Sequence, residues 1–231
     1  MSARENILAK LKKADALPME EPAVFDYYRE MGVSWDSEVE RLKHWAMRAV
    51  KTEIYWVTKT NWPQVFRQAA EGKGLKNILL PLATEHGQIA RAALVDSNIE
   101  PIAFEREIDT WKTEFFANID AGFSGSQCGI ARTGTLMLFS SPEEPRTLSL
   151  VPPVHFCLFD TAKMYNEFHN AVEGEKLVEN GMPTNVFLIS GPSKTADIQL
   201  TLAYGAHGPR DLVILAILPE HISPADLEEN A

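Results

Sequence analysis

The stretch Ile189-Ser-Gly-Pro-Ser-Lys-Thr-Ala-Asp-Ile-Gln199 places hydroxyls, an amine and a Gly-Pro break directly behind the apolar run 185–188. Gly-Pro stops an extended segment, and proline's fixed φ and missing N–H suit Pro192 to a first helical position, so a helix is expected from Ser193. The unpaired amides of such a helix start, with the backbone at Gly191, the hydroxyls of Ser193 and Thr195, and Lys194, would cradle a carboxylate or phosphate. The plainer alternative is a capped turn in which Ser193 serves as N-cap and Asp197 complements the positive helix end. A nucleotide P-loop is excluded, because Ser193 stands where a glycine should precede the Lys-Thr pair.

Further groups of this kind occur at Gly129-Ile-Ala-Arg-Thr-Gly-Thr135, at Arg146 with Ser149, at Pro152-Pro-Val-His155 and at Gly205-Ala-His-Gly-Pro209. Thr133 and Thr135 flank Gly134 and could offer two hydroxyls and a close backbone to an anion, or form an ordinary hairpin turn. Arg146 could clamp a carboxylate in bidentate fashion, or stand as a solvated charge beside Glu143 and Glu144. His207, set between Gly205 and Gly208-Pro209, is the candidate general acid–base or ligand-contacting residue, since imidazole titrates near neutral pH, or else a loop histidine without a role. His155 reads as a satisfied core imidazole ahead of a catalytic one, and His44, His86, His169 and His221 read as surface residues. Gly122-Phe-Ser-Gly-Ser126 lacks the second glycine of a nucleophile elbow, and no GxGxxG follows the first expected strand. In an open α/β sheet, loops of this kind gather beyond the carboxyl ends of the strands, and convergence there would make a pocket.

The elements that must position these residues follow from periodicity. Ser2 and Glu5 form a capping box for a helix over 2–13, and Val39, Leu42, Trp45, Ala46 and Ala49 mark a second helix after Ser34. A strand at 53–58, a helix at 62–70, a strand at 77–81, a helix at 85–95 and a strand at 101–104 spell βαβ units on a parallel sheet. After a helix at 109–116, the runs AGFSG, GTLMLF, TLSLV and VHFCLF read as short strands that add a hairpin layer. A helix over 161–170, a strand ending at Ile189, the helix from Ser193 and a strand at 212–218 complete the pattern, followed by a polar, loose tail. The expected division is a helical segment 1–50, an α/β domain 51–218 and the tail 219–231.

A chain of 231 residues, 45% apolar, can bury a sizeable core. Its net charge of −10 argues against nucleic acid or an anionic membrane surface as partner. No apolar run approaches a membrane span and the N-terminus lacks a signal-peptide core, so a cytoplasmic location is expected. Cys128 and Cys157 form no CxxC pair, so no cofactor or metal is evident in this chain and both read as core residues.

The ordered set GIARTGTLML, RTLSLVPPVHF, ISGPSKTADIQ and YGAHGPRDLVILAIL resembles the lactate utilization protein C family, whose core is the LUD domain. The match runs over 115–218, and four motifs in this order are far more specific than any one of them. The resemblance implies an open Rossmann-like α/β sheet with helices on both faces, similar to the ribose-phosphate isomerase and CoA-transferase superfamily. It also implies a part in bacterial oxidation of L-lactate to pyruvate, beside two partner proteins that carry the iron–sulfur clusters. Family members often have an acidic residue where this chain has Arg132 and an arginine where it has Lys194. With the four motifs together, the anion-site reading of Gly191 to Thr195 gains over the simple turn, with a small carboxylate or a phosphorylated molecule as ligand. Two rivals stay open. One is a stand-alone acyl- or formyl-group ligase or transferase, for which Asp160 and Asp197 are the available carboxylates. The other is a non-catalytic scaffold or regulator docking through exposed aromatics among Tyr27, Tyr28, Trp35 and Trp45. Homo-oligomerisation is the default expectation.

Overall fold

The computed structural model describes residues 3–13, 32, 34–104, 108–195, 203–205 and 207–228. The chain divides into two compact units, Met1–Val33 and Ser34–Ala231. In the first, helix α1 spans Ala3–Lys13. Its expected cap Ser2, the aromatics Tyr27 and Tyr28, and Asp197 lie outside the described residues.

The second unit opens with α2, Glu38–Arg48, capped by Ser37, whose hydroxyl accepts the Glu40 N–H at 3.4 Å. Then come β1 (Glu53–Val57), α3 (Trp62–Gly72), β2 (Asn77–Leu80), α4 (Glu85–Ala93), β3 (Glu100–Ala103) and α5 (Ile108–Asn118). Apolar spacing explains α3: Trp62, Phe66, Ala69 and Ala70 fall on one face and are buried. Strand β4 (Ala121–Gly125) follows, then β5 (Cys128–Ile130) and β6 (Thr135–Phe139), which form a hairpin, the short helix α6 (Thr147–Leu150) and β7 (Val154–Asp160). The remainder is β8 (Met164–Tyr165), α7 (Phe168–Gly174), α8 (Leu177–Asn180), β9 (Val186–Ile189), β10 (Lys194–Thr195), β11 (Ala203–Tyr204), β12 (Asp211–Ile217) and α9 (Pro224–Leu227).

Six strands form an all-parallel sheet in the order β1-β12-β7-β4-β2-β3. Helices α3 and α4 cover one face through Trp62, Phe66, Ala70, Ala90 and Leu94. On the other face α2 contributes Leu42 and Trp45, and α5 contributes Trp111 and Phe115. That second face also carries a four-stranded sheet, β8-β5-β6-β9, whose Leu136 and Leu138 pack on Cys157 and Phe159. Gly129 lets the two sheets approach, since a Cβ there would lie 2.5 Å from the Phe159 ring. Beyond this layer, α7 and α8 cover Cys128, Ile130 and Met137. Both faces of the central strands are therefore buried, which is why DLVILAI reads as one continuous apolar run. No helix among the described residues is long and apolar enough to cross a membrane.

Several expectations are corrected. TLSLV is not a strand: after Pro145 and Arg146 it coils into α6, and the Val151 amide closes on the Thr147 carbonyl. AGFSG and VHFCLF are β4 and β7 of the parallel sheet and not part of an added hairpin. The segment 161–170 is not one helix: Asp160 caps a single 3-10 turn, and Met164–Tyr165 then pairs with β5. Strand β9 ends at Ile189 but joins β6 in the second sheet. No helix begins at Ser193, because Lys194 and Thr195 pair antiparallel with Tyr204 and Ala203. The tail folds back as far as it is described, with Ile222 buried and the Ser223 N–H donating to Asp226.

Candidate functional site

The loop Ser190–Ser193 is the meeting point of the sequence motifs. Ser193 donates its N–H to the Pro209 carbonyl at 2.8 Å, and its own carbonyl accepts the Gly205 N–H at 3.0 Å. Its hydroxyl accepts the His207 backbone N–H at 3.3 Å, so it ties two loops together and caps no helix. Between these loops lies a cavity of about 200 Å³ lined by Ser149, His155, Ser190, Ser193, His207 and Gly208 among others. On the other side of the same loop a pocket of about 370 Å³ is lined by Arg48, Lys51, Ser190, Gly191 and Lys194. Three cations and no Asp or Glu stand among the residues lining this second pocket, so its field favours an anion. Arg48 also complements the carboxyl end of α2.

Thr133, Gly134 and Thr135 line neither space, yet the two threonines connect to it. Thr133 Oγ1 and Thr135 Oγ1 lie 2.6 Å apart, and Thr135 Oγ1 is 2.6 Å from Ser190 Oγ. Gly134 is not open to a ligand: a Cβ there would meet the Arg48 carbonyl carbon at 2.6 Å and the Ala49 nitrogen at 2.7 Å. It turns the chain at φ 63° beneath α2, where Trp45 Nε1 donates to the Thr135 carbonyl at 3.2 Å. Arg146 is exposed and lines neither space, and Thr195 sits in β10 beside Ala203. Arg132 does not charge the pocket either, because its Nη1 lies 2.6 Å from Glu167 Oε1.

The loops do not gather where they were expected. Pro152-Pro153 precedes β7 and Gly205–Pro209 precedes β12, so both lie at the amino ends of parallel strands. Chain direction decides this for Gly205–Pro209, which already precedes an apolar run in the sequence, whereas Pro152-Pro153 is placed only once 154–160 is a strand of the parallel sheet. The carboxyl ends hold other residues that motif reading missed. His86, at the start of α4, is not a free surface group: its Nε2 is 2.6 Å from Glu144 Oε1, which also accepts the Gly125 N–H at 2.9 Å. A histidine just inside a helix that follows a parallel strand was the one available signal, whereas Glu144 has none.

Of the other histidines read as surface residues, His44 stacks on Trp35 at 4.2 Å, His169 is half-buried and His221 Nε2 lies 2.7 Å from Glu38. His155 is fully buried, as a core imidazole should be. Its Nε2 lies 2.8 Å from Ser124 Oγ on the neighbouring strand, and its Nδ1 has no protein partner. Burial lowers its pKa from 6.5 to about 3, so the ring is neutral at physiological pH. Cys157 is raised above the usual thiol range, first by burial and then by Glu144. Cys128 is raised to about 12 by burial and by Glu175. Neither thiol is a nucleophile, and no group of three His, Cys, Asp or Glu that could hold a metal occurs among the described residues. Asp160 accepts the Ala162 N–H at 3.1 Å, and Trp45, proposed as a docking aromatic, is completely buried.

The chain is similar to an uncharacterized protein of Neisseria meningitidis serogroup B, at 95% identity over 233 residues and 100% of each chain. It is also similar to Lactate utilization protein C of Oceanobacillus iheyensis, at 22% identity over 91% of this chain and 93% of that one. The corresponding protein of Geobacillus thermodenitrificans is 23% identical over 92% and 93%. A crystal structure of a DUF162 family protein from Deinococcus radiodurans shares the fold, with a TM-score of 0.55 at 19% identity, covering 79% of this chain and 99% of that one. The LUD domain family model matches residues 43–217, which takes in every strand of the parallel sheet and both spaces around Ser190: the chain belongs to the LUD domain family.

Proposed function

We propose that this chain is a cytoplasmic component of a bacterial L-lactate utilization system, acting with iron–sulfur partner proteins in the oxidation of L-lactate to pyruvate. The observation that carries this reading is the near end-to-end alignment with proteins named Lactate utilization protein C. The chain's own part is to hold a small anion beside Arg48, Lys51 and Lys194, with Ser190 in the same wall. Lactate and pyruvate each carry one carboxylate, which a cationic pocket of this size suits. His207, across the Ser190–Ser193 loop, remains the candidate for proton transfer. Clusters and the electron steps are assigned to the partners. The all-parallel sheet supports placing the fold beside the ribose-phosphate isomerase and CoA-transferase-like proteins.

The test is lactate-dependent dye reduction by the iron–sulfur partners with and without the chain, and with a folded Lys194→Ala, His207→Ala variant. Loss of activity both on omission and in the variant is expected. Full activity without the chain refutes the assignment; full activity with the variant refutes the pocket.

A further inference from the structure

The carboxyl edge of the parallel sheet carries a second set of groups that the anion pocket does not use. In the order β1-β12-β7-β4-β2-β3 the chain runs from β2 outward to β3, then crosses back to β4 and continues to β7 and β12. The direction of winding therefore reverses between β2 and β4. Open α/β sheets bind ligands in the crevice outside the carboxyl ends of the strands at such a reversal.

A cavity of about 470 Å³ lies beside this reversal, over the carboxyl ends of β4, β7 and β12, lined by His86, Ser126, Gln127, Ser141, Glu144 and Asp160 among others. Leu158 and Ile217 supply an apolar wall. The volume is that of a small-molecule site. Glu144 is fixed from three sides: its carboxylate accepts from Gly125, its N–H donates to Ser141 Oγ at 3.0 Å, and its carbonyl accepts the Ser141 N–H at 3.2 Å. The 2.6 Å contact with Glu144 Oε1 makes His86 Nε2 the donor of the pair and fixes the ring at the cavity wall. Both side chains keep partial exposure, 27% and 20%, so the pair is reachable.

The charge pattern is the reverse of that around Lys194. Two carboxylates and no Lys or Arg line the cavity, so it disfavours anions. The carboxylate, amide and hydroxyl oxygens of this lining match a ligand rich in O–H donors and without negative charge. We propose that this cavity is a second ligand site, which takes an uncharged polyhydroxylated molecule through His86 and Glu144. The assignment goes beyond the lactate reading and does not depend on it.

The test uses the full chain and ribitol as probe, with the His86 ring followed by nitrogen-15 NMR and assigned by its loss in His86→Gln. A saturable shift of the His86 ring with ribitol, and none with pyruvate or ethanolamine, is expected. In Gly125→Ala a methyl would lie 3.4 Å from His86 Cε1 and Nε2 and 3.7 Å from Glu144 Oε2. Ribitol affinity should fall by about tenfold or more there, with the unfolding midpoint retained. Leu158→Phe narrows the same cavity from its apolar wall and should reproduce the loss. Absence of a saturable shift, an equal response to pyruvate, a response to ethanolamine alone, or unchanged affinity in both variants overturns the proposal and leaves the pair as a clamp between α4 and its neighbouring loop.

Discussion

Acidification from neutral pH to about pH 5 should weaken this fold by about 2 kcal/mol through His155 alone. The ring is fully buried, and burial lowers its pKa from 6.5 to about 3. The folded chain therefore keeps the imidazole neutral while the unfolded chain takes up a proton near 6.5. The unfolded state binds more protons between these values, so stability rises with pH across the window. This contribution is complete above about pH 6.5, is lost as pH falls toward about 3, and levels off below. The slope is about 1.4 kcal/mol per pH unit, and the roughly 1.5 units between 6.5 and 5 correspond to about 2 kcal/mol. Urea unfolding followed by tryptophan fluorescence at about pH 7.5 and about pH 5 measures it, with His155→Gln as the non-titrating comparison. Carboxylates titrate in both proteins and cancel in the difference. The wild type should lose about 2 kcal/mol more than the variant. A difference below about 0.5 kcal/mol, or an NMR titration of His155 near its ordinary value, would refute the reasoning.

Gly134→Ala should lose about 2–4 kcal/mol, because φ 63° strains an L-residue and the new Cβ would stand 2.6 Å from Arg48; an unchanged urea midpoint would contradict this. Cys128 and Cys157 should resist a thiol reagent at mildly alkaline pH in the native chain and react in urea, since burial raises both pKa values; rapid native labelling would show the thiols to be accessible. Trp45→Phe should cost about 1–3 kcal/mol, measured by calorimetry, by removing the indole donor to the Thr135 carbonyl and leaving space in the core. Stability equal to wild type would mean that neither the bond nor the packing matters there.

How much of this was legible depends on where the deciding information lies. Apolar spacing located α3 and the strands of the parallel sheet, because burial on one or both faces writes a period into the residues themselves. The alternation in TLSLV is equally compatible with one helical turn, and flanking prolines, not the pattern, settle it. Met164–Tyr165 became a strand through pairing with β5, a tertiary choice that local propensity does not encode. Gly191, Ser193, His207 and Gly208 line one cavity, with Lys194 across the loop. Arg48 and Lys51 could not be added, because the end of α2 and the turn after it, both distant in sequence, supply them. The His86–Glu144 contact spans 58 positions and has no spacing signature.

Among the described residues the strand order leaves β1 and β3 with one unpaired side each, and this bears on self-association. Glu100 at the start of β3 and Phe104 just past its end donate their N–H groups inward to Lys76 and Leu80, so the alternate residues aim outward. Pro101 is one of those, and it has no N–H to offer a foreign strand. At the opposite margin, Glu53 is held by Lys73 at 2.5 Å, which sets a charged pair at the start of β1. Each border of the sheet thus carries one of the two usual deterrents to strand recruitment, a proline and a charge. Replacing Pro101 by a β-branched residue would restore the missing donor and remove that deterrent to an incoming strand.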